Sequence, residues 1–333
     1  MKTHCAVFIL LCASIPASAQ LLINGAGATF PYPIYAKWFD EYRKVNPKAH
    51  INYQSIGSGG GIRQLQAGTV DFGASDSPMT DEQIASAGSK VLHFPTVLGA
   101  VVPTYNVPGV NRELNFTAEA LAGIFLGAIT RWNDAELARA NPGVSLPAAS
   151  IVVVHRSDGS GTTFVWTDYL SKASAAWKQK VGAGTAVKWP AGLGAKGNEG
   201  VAGLVRQTPN AIGYVELVYA IQNRMSYGRV RNAAGVFVKA NLASVTAAGG
   251  SVALPDDFRV SITNPPGKDA YPIASFTWLL VPARIEDAQK RGVITAFLRW
   301  MLADGQRMAE PLGYSPLPKV LVSRELKAVG LIQ

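Results

Sequence analysis

Two apolar patterns alternate along the chain. Short runs rich in Val, Ile, Phe and Tyr, such as INYQSI (51–56), VDFGASD (70–76) and SIVVV (150–154), have the length and β-branched content of strands. VLHFPTVLGAVVPTYNV (91–107), AIGYVELV (211–218) and DAYPIASFTWLLVPA (269–283) read as further extended segments. Between them, apolar positions recur at helical spacing. In PIYAKWFDEYRKVNP (33–47), Ile34, Tyr35, Trp38, Phe39, Tyr42 and Val45 share one face. TAEALAGIFLG (117–127) and EDAQKRGVITAFLRWMLADGQRMAE (286–310) are read as helix, and a capping box of Thr80 and Gln83 predicts a helix after Pro78. GSGGG (57–61) is read as a turn, with a short helix through IRQLQAG up to Gly68, and WPAGLGAKGNEG (189–200) as a loop before a helix through VAGLVRQ. Strands alternating with helices predict an α/β architecture with helices covering largely parallel sheets. There is no internal repeat or low-complexity linker, so two domains would be joined by several crossings.

The first residues change the picture. MKTHCAVFILLCASIPASAQ has a basic start at Lys2, an apolar stretch from Ala6 to Ala13 and Ala17-Ser18-Ala19, the layout of a secretory signal cleaved after Ala19. Its apolar run is too short to span a bilayer. Leu11 precedes Cys12 where a lipoprotein signal has a small residue, which argues against a lipid anchor. Both cysteines, Cys5 and Cys12, fall in this leader, so the mature chain is expected to have no disulfide and no thiolate chemistry. A 333-residue chain can bury a large core, in two domains, without such cross-links. No later stretch is apolar and long enough to cross a membrane, and the exported protein is expected to be soluble. The net charge of +9 is scattered. No Lys/Arg block carries interleaved aromatics, which disfavours nucleic acid; the charge fits either solubility or attraction of a small anion.

Four segments share one design: an extended piece, a Gly/Ser/Thr loop, then a helix. They are GAGATFP (25–31), IGSGGG (56–61), GASDSPMT (73–80) and RSDGSGTT (156–163). A helix N-terminus offers free N–H groups and the positive end of its dipole to an anion. Together the four loops would supply backbone N–H groups, the hydroxyls of Thr29, Ser58, Ser160 and Thr162, and the guanidinium of Arg156. Mostly neutral donors suit a dehydrated tetrahedral oxyanion. Yet Asp76 and Asp158 lie in the same loops.

Other chemistries fit less well. The nucleophile-elbow pattern G-x-S-x-G fails at both Ser58 and Ser160, because Ile56 and Asp158 stand where glycine is required. The Gly-Lys-Ser/Thr of a nucleotide P-loop is absent. GLGAKG (192–197) matches a dinucleotide fingerprint, with Glu216 downstream, but Trp189-Pro190 precedes it where a strand should end. His50, His93 and His155 are far apart and include no ligand pair.

GAGATFP, IGSGGG, VDFGASDSPMT, HRSDGSGTTFVWTDYL (155–170), VKWPAGLGAKGNEG (187–200) and NAIGYVE (210–216) together closely resemble the periplasmic phosphate-binding protein of the phosphate-specific (Pst) ABC transporter. The likeness is collinear from Gly25 to about Pro318, and the segment beginning ING is similar to the related DING proteins. The resemblance implies a bilobal periplasmic-binding-protein fold (type II) with the ligand in the cleft. Its lobe I would comprise 20–97 plus 273–333 and its lobe II 98–272, with crossings near Phe94–Thr104 and Tyr271–Phe276. It further implies phosphate held by Thr29, Phe30 (through its backbone), Ser58, Asp76, Arg156, Ser160, Gly161 and Thr162, with Asp158 paired to Arg156. Gly59 stands where many relatives have a second serine, and His155 where some have another arginine; neither change removes a ligand.

In this setting the acids have separate tasks. Asp158 would hold the guanidinium by bidentate pairing. Asp76 would accept a proton from phosphate, which keeps at least one near neutral pH, and would meet only lone pairs and like charge on sulfate. Its bland alternative is a cap on the Pro78–Thr80 turn. The expectation is a periplasmic receptor, not an enzyme and without cofactor, capturing inorganic phosphate and delivering it to transmembrane permease subunits served by a cytoplasmic ATPase, and monomeric before docking. Its rivals are a DING-type phosphomonoesterase and a sulfate or molybdate receptor.

Overall fold

The computed structural model describes residues 20–333; the leader, its Ala17-Ser18-Ala19 site and both cysteines lie outside the described residues. β1 (Leu21–Gly27) pairs in parallel with β2 (Ala49–Ser55) and β3 (Phe72–Ser75). β4 (Val91–Asn106) follows, then β5 (Asn115–Phe116), β6 (Val152–Arg156), β7 (Leu193–Ala195), β8 (Ala211–Glu216), β9 (Ser226–Tyr227), β10 (Arg229–Arg231), β11 (Phe237–Val238) and β12 (Ala274–Pro282). The main sheet runs β2-β1-β3-β12-β4-β8-β6-β7, with β9 beside β4; β5, β10 and β11 form a small separate sheet.

Helices form where the 3.6-residue stripe meets this sheet. The Tyr32–Val45 helix buries Ile34, Tyr35, Trp38 and Tyr42. Trp38 also donates its indole N–H to the Gly305 carbonyl at 2.8 Å, which satisfies the polar end of a fully buried ring. Burial of each such side chain stabilises the fold by roughly 1.5–3 kcal/mol. Thr80 and Gln83 make both bonds of the capping box ahead of Asp81–Ala85.

β4 serves both halves of the molecule. Val91–Ala100 pairs antiparallel with β12, whereas Val101–Asn106 pairs antiparallel with β8. The Val101 N–H is held by the Ile273 carbonyl at 2.8 Å, just before β12 begins. The fold is therefore bilobal. One lobe is built on β1–β3, β12 and the first part of β4, the other on β6–β8 and the rest of β4.

Three expectations need correction. The sheets are parallel only toward their outer strands (β1–β3, β6–β8); the centre is antiparallel, because β4 and β12 carry the chain between lobes in opposite directions. Second, GSGGG is not a free turn. The helix Ser58–Gln66 already starts at Ser58 and contains Gly59, Gly60 and Gly61. Gly61 explains this: a Cβ there would stand 2.5 Å from the Gly27 Cα, so the absent side chain lets the helix lie directly on β1. The WPAGLGAKGNEG segment likewise contains a strand, β7, paired with β6, and its helix begins at Gly197.

Candidate functional site

All the residues singled out in the loops converge where the two lobes meet. From the first lobe, β1 ends and the chain turns through Thr29 and Phe30 into the Tyr32–Val45 helix, Ser58 opens its own helix, and Asp76 follows β3 directly. From the second lobe, β6 ends at Arg156, and Ser160 caps the Gly161–Ala173 helix by accepting the Thr163 N–H at 3.0 Å. The N–H groups at each helix start have no partner within their own helix and must find one elsewhere. The lobes touch directly here: Gly59 donates to the Gly159 carbonyl at 2.9 Å, and the Gly161 N–H donates to Ser58 Oγ at 3.0 Å. A Cβ on Gly161 would stand 2.5 Å from Asp76 Oδ2 and would also strike Ser58 Oγ, so glycine is required for this approach.

Arg156 is buried and gripped by Asp158. Nε and Nη2 bond the two carboxylate oxygens at 2.8 and 2.6 Å, a bidentate fork, and Nη1 reaches Thr162 Oγ1 at 3.4 Å. Burial works to raise the Asp158 carboxyl, but the bonds and charge of Arg156 and the Gly197 N–H outweigh it and hold the group below the usual carboxylate range. The pair fixes the plane of the guanidinium and leaves one edge for a ligand.

Asp76 is the opposite case. It is 1% exposed, and burial pushes its carboxyl up to about 7, against the lowering effects of the Thr277 hydroxyl, Arg156 and Ser58. Thr277 donates to Oδ1 at 2.8 Å. Oδ2 is the oxygen on the Gly161 side, at the junction of the lobes. Among the site's side chains this is the dedicated acceptor.

Thr29, Phe30 and Thr162 complete the ring. Thr29 offers its hydroxyl, while its carbonyl accepts the Tyr219 hydroxyl at 2.6 Å. The Phe30 ring is fully buried and its carbonyl accepts from Tyr314 at 2.7 Å, which fixes the backbone at this position. Thr162 is fully buried beside Arg156.

Sequence reasoning missed Asn198, Tyr219 and Thr277. Asn198 lay in a segment noted for its glycines and Thr277 in a run read only as a strand; neither has a pattern that separates it from ordinary positions. The histidines play other parts. His155 stacks on Trp189 at 4.8 Å, and His93 accepts the Met79 N–H at 3.1 Å, burial lowering its pKa to about 4. Among the described residues no cluster of His, Cys, Asp and Glu could hold a metal ion.

Residues 14–305 match the family model of the PBP superfamily domain. The chain is 44% identical to the phosphate-binding protein PstS of Xylella fastidiosa (strain Temecula1), covering 97% of each chain. It is 44% identical to the phosphate-binding protein PstS of Haemophilus influenzae, covering 95% of each. Among solved structures, a high-affinity periplasmic phosphate-binding protein, PfluDING, bound with phosphate, superposes with a TM-score of 0.77 at 22% identity, over 92% of this chain and 93% of that one. A phosphate-binding protein from Stenotrophomonas maltophilia gives 0.72 at 17% identity over the same shares. These two likenesses bear on the fold.

Proposed function

The chain belongs to the PBP superfamily and, within it, to the PstS-type phosphate-binding proteins, and on that premise we propose that it captures inorganic phosphate between its lobes and delivers it to the membrane permease of a phosphate ABC transporter. The observation that carries the site assignment is the convergence, from both lobes, of one locked guanidinium, neutral donors and a single buried acceptor. Phosphate would be held by Thr29, Ser58, Ser160 and Thr162, by the backbone of Phe30, by Gly161, and by the free edge of Arg156, with Asp158 orienting the arginine. Asp76 would accept the ligand's own proton. Closure of the lobes removes water and strengthens each of these bonds.

Several finer points belong to the same reading. Lobe I is 20–97 plus 273–333 and lobe II 98–272; the change of partner in β4 after Ala100 supports crossings in this region. The protein is exported by its leader, cleaved after Ala19, and works in the periplasm as a monomer until it docks on the permease, whose cytoplasmic ATPase drives import. No helix among the described residues is long and apolar enough to cross a membrane. It carries phosphate unaltered and is not an enzyme; Ser160 Oγ accepts the Thr163 N–H as a helix cap and keeps its O–H as a donor to the ligand. Calorimetry with phosphate, arsenate, sulfate and a phosphomonoester tests the assignment. Phosphate and arsenate should bind at one site per chain; preference for sulfate or the ester would overturn it.

A further inference from the structure

Asn198 lies in the first turn of the Gly197–Gln207 helix and is completely buried. Its orientation follows from its partners. Oδ1 faces the Glu216 N–H at 2.9 Å. A backbone N–H can only donate, so the atom opposite it must be the amide oxygen and the NH₂ group must point the other way. There it meets two hydroxyl oxygens: Thr29 Oγ1 at 2.8 Å and Thr162 Oγ1 at 3.2 Å. Thr29 comes from the first lobe and Thr162 from the second. Thr29 Oγ1 also accepts the backbone N–H of Asn198 at 3.3 Å, and Thr162 Oγ1 accepts Arg156 Nη1 at 3.4 Å.

A hydroxyl has two lone pairs and one hydrogen. In both threonines the lone pairs are met by protein N–H groups, so what remains to each is its O–H as a donor. We propose that Asn198 is a positioning residue that aims the Thr29 and Thr162 hydroxyl hydrogens at the bound anion while bridging the two lobes. This rests on the reading of the site as a phosphate receptor. Without Asn198 each hydroxyl regains a free lone pair and can rotate, and a lone pair turned toward an oxyanion repels it. The bridge also makes alignment depend on closure, because one amide group is correctly placed for both threonines only when the lobes are together.

A double-mutant cycle tests this, with phosphate affinity read by calorimetry and folding by the melting temperature without phosphate. Asn198→Ala should weaken phosphate binding by roughly ten- to a hundredfold, equivalent to about 1.4–2.8 kcal/mol. In a Thr29→Val background, where one of the aimed hydroxyls is gone, the same substitution should cost several-fold less. Equal penalties in both backgrounds would overturn the inference, since a purely structural role is indifferent to the hydroxyl. If Asn198→Ala does not fold, Asn198→Asp serves: it keeps an oxygen for the Glu216 N–H but presents an acceptor to both threonines, turning their hydrogens away from the ligand. It should lose more than a hundredfold in affinity, and a loss of only a few-fold would overturn the proposal. A wild-type protein that shows no phosphate isotherm would overturn the function itself; a wild-type isotherm with additive penalties overturns only the role of Asn198.

Discussion

Replacing Asp76 by Asn should turn a proton-reading site into one that tolerates sulfate, and the effect should grow with pH. The carboxyl is 1% exposed, and burial raises it to about 7. An ionised Asp76 about 4 Å from a sulfate oxygen, at an effective dielectric of about 20, opposes binding by about 4 kcal/mol, or about a thousandfold. Sulfate brings no proton to relieve this, so wild type must take one up on Asp76. Below about pH 7 the carboxyl already carries it, and sulfate affinity should be level. Above that, each pH unit costs about 1.4 kcal/mol, so sulfate affinity should fall about tenfold per unit until the Coulomb ceiling is reached. Asp76→Asn has nothing to titrate and should be flat. Calorimetric titration of sulfate into both proteins at about pH 6 and pH 9 decides it. The two should differ little at the lower pH, and the variant should bind about a hundredfold more tightly at the higher. If both reject sulfate alike at pH 9, Asp76 is not the selectivity element and its task is to shape the turn before Pro78.

The same linkage reaches stability. The unfolded chain releases the Asp76 proton near the model-peptide value of 3.8 and the folded one near 7, so this group's contribution to stability declines as pH rises from about 4 to about 7; the stability gap between Asp76→Asn and wild type should widen over that window in phosphate-free urea unfolding. Arg156→Lys keeps the charge but loses the fork that Asp158 grips, and phosphate affinity by calorimetry should fall more than tenfold while the melting temperature holds near that of wild type. Gly161→Ala places a methyl against Ser58 Oγ and Asp76 Oδ2, which should wedge the lobes apart and weaken phosphate by more than a hundredfold in the same assay. Purified protein should not hydrolyse p-nitrophenyl phosphate; turnover that is lost in Ser160→Ala would refute the receptor assignment.

The loops were legible in the sequence because their chemistry is local. Gly, Ser and Thr before a helical stripe identify a donor-rich helix start, and Arg156 and Asp158 are close enough in the chain for their pairing to be read from the family resemblance. What could not be read depends on distant register. Thr277 reaches Asp76, and Asn198 joins Thr29 to Thr162, only after strands far apart in the chain have paired. The antiparallel centre was hidden for the same reason: β4 and β12 each look like ordinary buried strands, and nothing within either run shows that they lie side by side. GSGGG was misread because glycine usually breaks a helix, whereas here the close approach to β1 outweighs that propensity.

The placement of β12 also governs the order in which the molecule can be assembled. In the first lobe's part of the sheet β12 stands between β3 and β4, so neither of those strands is complete on that side until residues 274–282 are available. The strands of the second lobe, β6–β8 with the end of β4, are all in hand by Glu216. A chain emerging from its N-terminus can therefore finish the second lobe while the first, whose strands were made earliest, still waits with two raw edges exposed. Such edges template pairing with other chains. A product that stops short of Ala274 would be more than a receptor lacking its tail: it would carry an open slot in the middle of a sheet, and aggregation should be its characteristic fate.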